Sequence, residues 1–206
     1  MALQKISFKV PQKLWKSFAT QANNLFLNRA PFLNHMIASE TQILDTDLAG
    51  KVLTLRAKRH ISGKLKLQGA ASVNIEVQKS TAERLNTVVR KHNLVRDAFL
   101  CRLLIFLRGD DSLLDHLEVP RDLEDWRFPS NLVQMPTSPM KAMEAVRDDP
   151  FYSIRHHPSV EQEGGIYMVQ LPRKLDWAAC YLDDIAVPGT KAFKDDQRRS
   201  ADYSDV

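Results

Sequence analysis

The side chains with the clearest chemical bias in this chain are its lysines and arginines. Residues 1–109 carry eighteen of them against six Asp and Glu, a balance of +12. Residues 110–206 carry eleven against nineteen, a balance of −8, and the two halves meet the overall +4. Clustered cations are the chemistry of polyanion binding, because neutralising phosphates releases condensed counterions. A lopsided solvated surface is the plainer alternative. Covalent chemistry has weaker candidates. His156-His157, near Glu161 and Glu163, has the donor types of a metal site, although adjacent histidines in a loop are more often simply exposed. The chain has no P-loop, GxGxxG, HExxH or GxSxG, and spacing pairs no histidine with a nucleophile. No enzymatic activity, cofactor or metal is therefore expected. Cys101 and Cys180 lack a CxxC partner and a Cys/His cluster, so they read as reduced thiols of a cytosolic protein.

These side chains must be positioned by a chain of 206 residues, enough for one domain or two small ones. Apolar residues at 44% and charged residues at 26% are those of a globular chain with a core. No apolar run approaches the roughly 18–20 residues that span a bilayer. The start, MALQKISFKV, lacks the apolar core and small-residue cleavage site of a secretory signal.

An internal repeat organises the basic half. Shifted by 67 residues, KISFKVPQKLWKSFATQANNLFLNRAPFLNHMI falls on SVNIEVQKSTAERLNTVVRKHNLVRDAFLCRLL without a gap. Ile6, Phe8 and Val10 coincide with Val73, Ile75 and Val77; Phe18 coincides with Leu85, Phe32 with Phe99 and Arg29 with Arg96. In both copies the apolar period changes at the same point. Ile6, Phe8 and Val10 alternate with Lys5, Ser7 and Lys9, and Val73, Ile75 and Val77 with Ser72, Asn74 and Glu76, the two-residue rhythm of a strand. Leu14, Phe18, Ala22 and Leu25 then follow at helical spacing, with Pro11 at the helix start. In the second copy Ser80-Thr81-Ala82-Glu83 has the form of a capping box, with Leu85, Val88 and Val89 inward. After a short break each copy has a second helix. Asn28 is the candidate N-cap of the first, with Pro31 in its opening turn, and Gly109 is the stop of the second. A strand, a helix and a second helix cannot bury their own apolar faces, and a lone strand leaves its ladder groups unpaired. Two copies in one chain are therefore expected to pair as an intrachain pseudo-dimer, through an antiparallel two-stranded ribbon.

At these residues the chain resembles the ribbon-helix-helix DNA-binding proteins, the class of the Arc and methionine repressors. KISFKVP is similar to the family's ribbon strand, and the resemblance covers residues 4–40 and 71–108, about a third of the chain. It implies that Lys5, Ser7, Lys9, Ser72, Asn74 and Glu76 face base edges in the major groove. Lysine donates to guanine O6 or N7 and asparagine pairs bidentately with adenine. Glu76 departs from the pattern, as an anion that either accepts from a cytosine amino group or repels phosphate. The resemblance also implies that the second-helix starts, at Asn28, Arg29 and Arg96, anchor backbone phosphates through free amides and the helix dipole. Pro31 removes one of those amides. Trp15 and Phe26 read as packing residues rather than base-stacking ones.

Outside the repeats the pattern is less decisive. KVLTLRAKRHISGKLKLQG sets Lys51, Arg56, Lys58, Arg59, Lys64 and Lys66 among apolar residues and reads as two short strands with a turn near His60–Gly63. Lys58, Arg59 and Lys64 of this basic hairpin are candidate phosphate contacts, a solvated linker being the alternative. Asp110–Asp125 reads as a short acidic helix, Pro129, Pro136 and Pro139 mark an irregular stretch, and PMKAMEAVRDDP reads as a helix. GGIYMVQLP and DWAACYLDDIAV read as a pair of strands, and FKDDQRRSADYSDV as a mobile tail. The acidic half is expected to contact protein, or the basic half itself.

The architecture expected is mainly α with short strands (α+β). Its parts are repeats at 1–40 and 71–109, a basic linker at 41–70 and an acidic region at 110–206 forming a small α+β appendage. The function expected is a transcriptional regulator that binds double-stranded DNA sequence-specifically and self-associates on it, cytoplasmic and nucleoid-associated in a bacterium, with no membrane partner. Two alternatives stay open: a DNA-binding accessory protein of a conjugative relaxation complex, in a plasmid setting, and an antitoxin-like protein-interaction module.

Overall fold

A computed structural model describes residues 2–119, 149–182, 184–185 and 187–202. It is mainly helical, with one two-stranded antiparallel sheet. Strand β1 (Leu3–Pro11) runs directly into α1 (Gln12–Asn24), which is followed by α2 (Arg29–Asp47). After α3 (Leu55–Leu67) the order recurs: β2 (Ala70–Gln78), α4 (Lys79–Lys91) and α5 (Arg96–Arg108). The described remainder holds the short helices α6 (Asp111–His116), α7 (Tyr152–Arg155) and α8 (Pro158–Gln162), a 3-10 turn at Arg173–Ala178, and α9 (Lys191–Asp202).

The 67-residue offset persists into the backbone. β1 and β2 pair with Ile6 opposite Ile75, Ser7 opposite Asn74 and Phe8 opposite Val73. Ser7 thus faces its own equivalent, so a local two-fold passes between these residues. Around that axis α1 packs on α5 and α2 on α4, each helix crossing to the other copy. The helix ends agree as well. Leu27 and Leu94 donate their amides to Ala22 and Val89, and Phe26 and Asn93 donate theirs to Asn23 and Arg90. These are paired Schellman closures, with Phe26 (φ 53°) and Asn93 (φ 54°) in the left-handed conformation.

The alternation along the strands has the expected consequence. Ile6, Phe8, Val10, Ile75 and Val77 are buried, Val73 is half-buried, and Leu14, Phe18, Ala22, Leu85, Phe32 and Phe99 close the core beneath them. Helix starts differ in detail. Pro11 and Gln78 are themselves the N-caps, and neither supplies a side-chain bond. The Ser80–Glu83 pattern is therefore not a capping box: strand passes into helix with no loop, and Asn34 Oδ1 takes the Gln78 amide at 2.7 Å. Asn28 caps α2 by position, again without a side-chain bond, while Gly109 ends α5 in the left-handed region (φ 50°).

The linker is a helix, not a hairpin. Helix α3 buries Ala57, Ile61 and Leu65, four apart, with buried Leu53 continuing the spacing just before it, which is the helical period. Val52, Leu55 and Leu67, which suggested a strand, are 60%, 67% and 83% exposed. Thr54 caps the helix by accepting the Ala57 amide at 3.1 Å, and Gly63 lies inside it.

The C-terminal residues shown are helices and turns, with no strand among them, and they join the same core as the repeats. GGIYMVQLP forms turns around Gly164 and Gly165, both at positive φ. Buried Arg102 of α5 supplies the donors a neighbouring strand would have given, to the carbonyls of Ile166 (2.9 Å) and Val169 (2.7 Å). DWAACYLDDIAV begins in the 3-10 turn and shows no strand among its described residues, and the expected tail is helical to Asp202. Thr190 Oγ1 accepts the Phe193 amide at 3.2 Å near the start of α9. The acidic helix is confined to Asp111–His116 in the described residues. Residues 120–148, with the expected irregular stretch at Pro129, Pro136 and Pro139 and most of the expected helix PMKAMEAVRDDP, lie outside the described residues. The acidic half does meet the basic half. Arg155 bonds buried Glu40 of α2 at 2.8 Å, Tyr167 donates to the same carboxylate at 2.5 Å, and Thr54 donates to Asp184 at 2.6 Å.

Two stability outcomes are expected. Phe26 is 97% exposed and held at φ 53°, a conformation costing a non-glycine residue roughly 1–2 kcal/mol. Phe26→Asn, copying the residue at the equivalent position, should raise the free energy of urea unfolding by about 1 kcal/mol. Arg102→Leu should lower it by about 1–3 kcal/mol for each carbonyl left without a donor, and should open residues 165–169 to proteolysis.

Candidate nucleic-acid interface

The ribbon has one apolar face against the helices and one polar face against solvent. Lys5, Ser7, Lys9, Ser72, Asn74 and Glu76 are all exposed on that outer face. The register sets Lys5 opposite Glu76, Ser7 opposite Asn74 and Lys9 opposite Ser72. The structure therefore brings the six expected base-reading residues together as three facing pairs.

The face is not electrically symmetric. Lys5 Nζ lies 3.7 Å from Glu76 Oε1, with both side chains more than half exposed. Such a pair is worth less than about 1 kcal/mol in water, but it cancels the charge at that end. Net positive charge is left beside Lys9, opposite uncharged Ser72. A duplex approaching this face would meet one cationic end and one neutral end.

The helix starts behind the ribbon are also unequal. Arg29 is exposed at the start of α2, whereas its equivalent Arg96 donates through Nη2 to the Ser7 carbonyl at 2.6 Å. Arg96 thus fastens α5 to the ribbon centre and keeps its other donors for a second acceptor. The first turn of α2 offers the amides of Arg29 and Ala30, Pro31 having none, and exposed Asn28 stands beside them. The first turn of α5 carries Asp97, an anion at the end where an anionic ligand would bind.

On α3 the three expected phosphate contacts separate. Lys58 Nζ donates to Asn93 Oδ1 at 2.8 Å and Lys64 lies 3.3 Å from Asp176, so both are engaged within the fold. Arg59 is exposed, as are Arg56 and Lys66, giving this helix a basic outer face. Lys13 and Lys79 were missed as candidates. Each lies in the first turn of the helix that follows its strand, at opposite ends of the ribbon, and both are exposed, Lys79 in a solvent-exposed 3.8 Å pair with Glu83 one turn on. Their signal was the absence of turn residues between strand and helix.

The remaining candidates are dispersed. Trp15 packs against Phe8 and Phe18 at ring separations of 6.2 and 5.7 Å, but Phe26 projects into solvent beside Asn28 and packs on nothing. His156 Nδ1 contacts Glu161 at 3.1 Å, while His157 is buried. Among the described residues no cluster of three or more His, Cys, Asp or Glu is placed to hold a metal. Both cysteines are buried and free, and burial pushes the Cys180 thiol up to about 12. No helix of the described residues is long and apolar enough to cross a membrane. Comparison of the chain with protein-family models, with curated proteins and with solved structures finds no match.

Proposed function

We propose that this protein is a sequence-specific, double-stranded DNA-binding transcriptional regulator. Its two strand–helix–helix segments act as a tandem ribbon-helix-helix unit, and the β1–β2 ribbon reads the major groove. One observation carries the reading: the sequence repeat and the strand register share a single two-fold at Ser7 and Asn74, and the face around that axis is polar and exposed. An antiparallel ribbon fits the width of a major groove and offers alternate side chains to base edges. The +12 balance of residues 1–109 supplies the sequence-independent attraction.

The proposed roles follow from position. Lys9 donates to guanine O6 or N7, Asn74 pairs with adenine, and Ser7 and Ser72 adjust to either strand. Arg29, with the α2 amides, and exposed Lys13 and Lys79 hold phosphates on the two flanks. Because Lys5 and Glu76 pair at one end, the preferred site is asymmetric within one unit. A genome-wide binding map separates the settings: promoters indicate regulation, and a transfer-origin nick site indicates a relaxation accessory.

In a gel-shift titration on the mapped site, Lys9→Ala and Asn74→Ala should each lose roughly 1–3 kcal/mol and relax the sequence preference, whereas Glu76→Gln should bind more tightly. Normal binding by both alanine variants removes the ribbon as the reader. Arg29→Ala should weaken all sequences about equally and lower the slope of log K against log salt by about 0.9.

A further inference from the structure

A cavity of about 510 Å³ lies between α3 and the C-terminal residues, away from the ribbon face. His60 and Lys64 contribute its α3 wall, Arg102 reaches it from α5, and the 3-10 turn and α9 close it with Asp176 and Phe193. Leu171, Leu182 and Ile185 make much of the lining apolar. Both the volume and the mixture of apolar wall with a few polar groups are those of a small-molecule site.

The charges on the wall restrict what it can hold. Lys64, Arg102 and Arg173 face Glu163, Asp176 and Asp196, three cations against three anions. Several of these are already committed. Arg102 serves the Ile166 and Val169 carbonyls, Lys64 lies 3.3 Å from Asp176 Oδ2, and Glu163 accepts the Gln170 amide at 2.7 Å. The charges on the wall balance in number, so it suits a neutral guest better than a charged one. Two buried polar atoms on lining residues have no hydrogen-bond partner: His60 Nε2 and Asp176 Oδ1. His60 Nε2 is 3.8 Å from Asp176 Oδ2, too far to bond it. Buried polar groups are ordinarily satisfied, and an orphaned carboxylate oxygen is answered best by an incoming N–H or O–H.

We infer that this cavity is a binding site for a neutral, predominantly apolar small molecule that donates one hydrogen bond to Asp176, with His60 beside it. Such a guest ties α3 to the 3-10 turn, two elements that already meet through Lys64 and Asp176. The inference is independent of the DNA-binding reading, because it concerns a different face and its test uses no DNA.

The probe is N-phenyl-1-naphthylamine, a neutral aromatic amine with a single N–H, titrated into the full-length chain. The expected result is a blue-shifted fluorescence that saturates at one probe per chain. Leu171→Trp, which fills the cavity from a half-buried position, should abolish it, and Met168→Trp does the same from a second position where Leu171→Trp melts early. Asp176→Asn and His60→Phe should each weaken binding, Asp176→Asn by about tenfold. Circular dichroism melts show which variants keep the fold. Absence of saturable binding by the unmodified chain overturns the inference. So does saturable binding that survives in a folded tryptophan variant, which would place the probe on an exposed apolar surface such as Leu55 and Leu67 of α3.

Discussion

Everything in this molecule depends on the pairing of β1 with β2. Among the described residues each strand pairs only with the other, and without that pairing its ladder groups would go unsatisfied. The inward row of Ile6, Phe8, Val10, Ile75 and Val77 is buried only when both strands lie side by side over the helices. Because the two segments are equivalent, the arrangement that satisfies both at once is two-fold, and Ser7 meets Asn74 on its axis. The crossed packing of α1 on α5 and α2 on α4 follows from that axis. The outer polar face is a by-product of the same period of two.

The C-terminal residues are held on this scaffold by buried polar groups as much as by apolar ones. Glu40 is almost fully buried and receives both Arg155 and Tyr167. Burial raises its carboxyl pKa, while the Arg155 charge and the two hydrogen bonds pull it down. Arg155 is shared with Asp149 at 2.9 Å, and its ring neighbour Phe151 packs edge-on against Phe106. Removing Arg155 would leave the Glu40 carboxylate without a counter-charge in a low-dielectric interior, which costs far more than the intact pair contributes. Such a network specifies where the C-terminal chain docks, since few other placements satisfy all its members.

A near-symmetric scaffold has been made unequal at a small number of positions, and these gather around the ribbon. Lys5 and Glu76 neutralise one end, while Lys9 and Ser72 leave the other cationic. Arg96 bonds the strand and Arg29 faces solvent. Phe26 holds a strained backbone with its ring in water, where the equivalent Asn93 adopts the same φ and bonds both Lys58 and the Leu53 carbonyl. Local preferences are broken most often where function, rather than folding, sets the residue.

The strands and helices of the two repeats were readable from residue order because their causes are local, whereas the closures at Phe26 and Asn93 and the missing cap at Ser80 were not. An alternation such as Lys5–Val10 or a four-residue spacing such as Leu14–Phe18–Ala22 involves neighbours within a turn or two. Residues 51–67 misled because exposed Val52, Leu55 and Leu67 mimicked an alternation, and Ala57, the small member of the buried stripe, carried little weight. The turns at 164–169 were beyond reach for another reason. Arg102 lies 64 residues from the Ile166 carbonyl it satisfies, and Tyr167 lies 127 from Glu40. A buried charge has no preferred partner until the chain has folded around it, so these contacts, the fate of Lys58 and Lys64, and the cavity beside His60 were settled by tertiary packing alone.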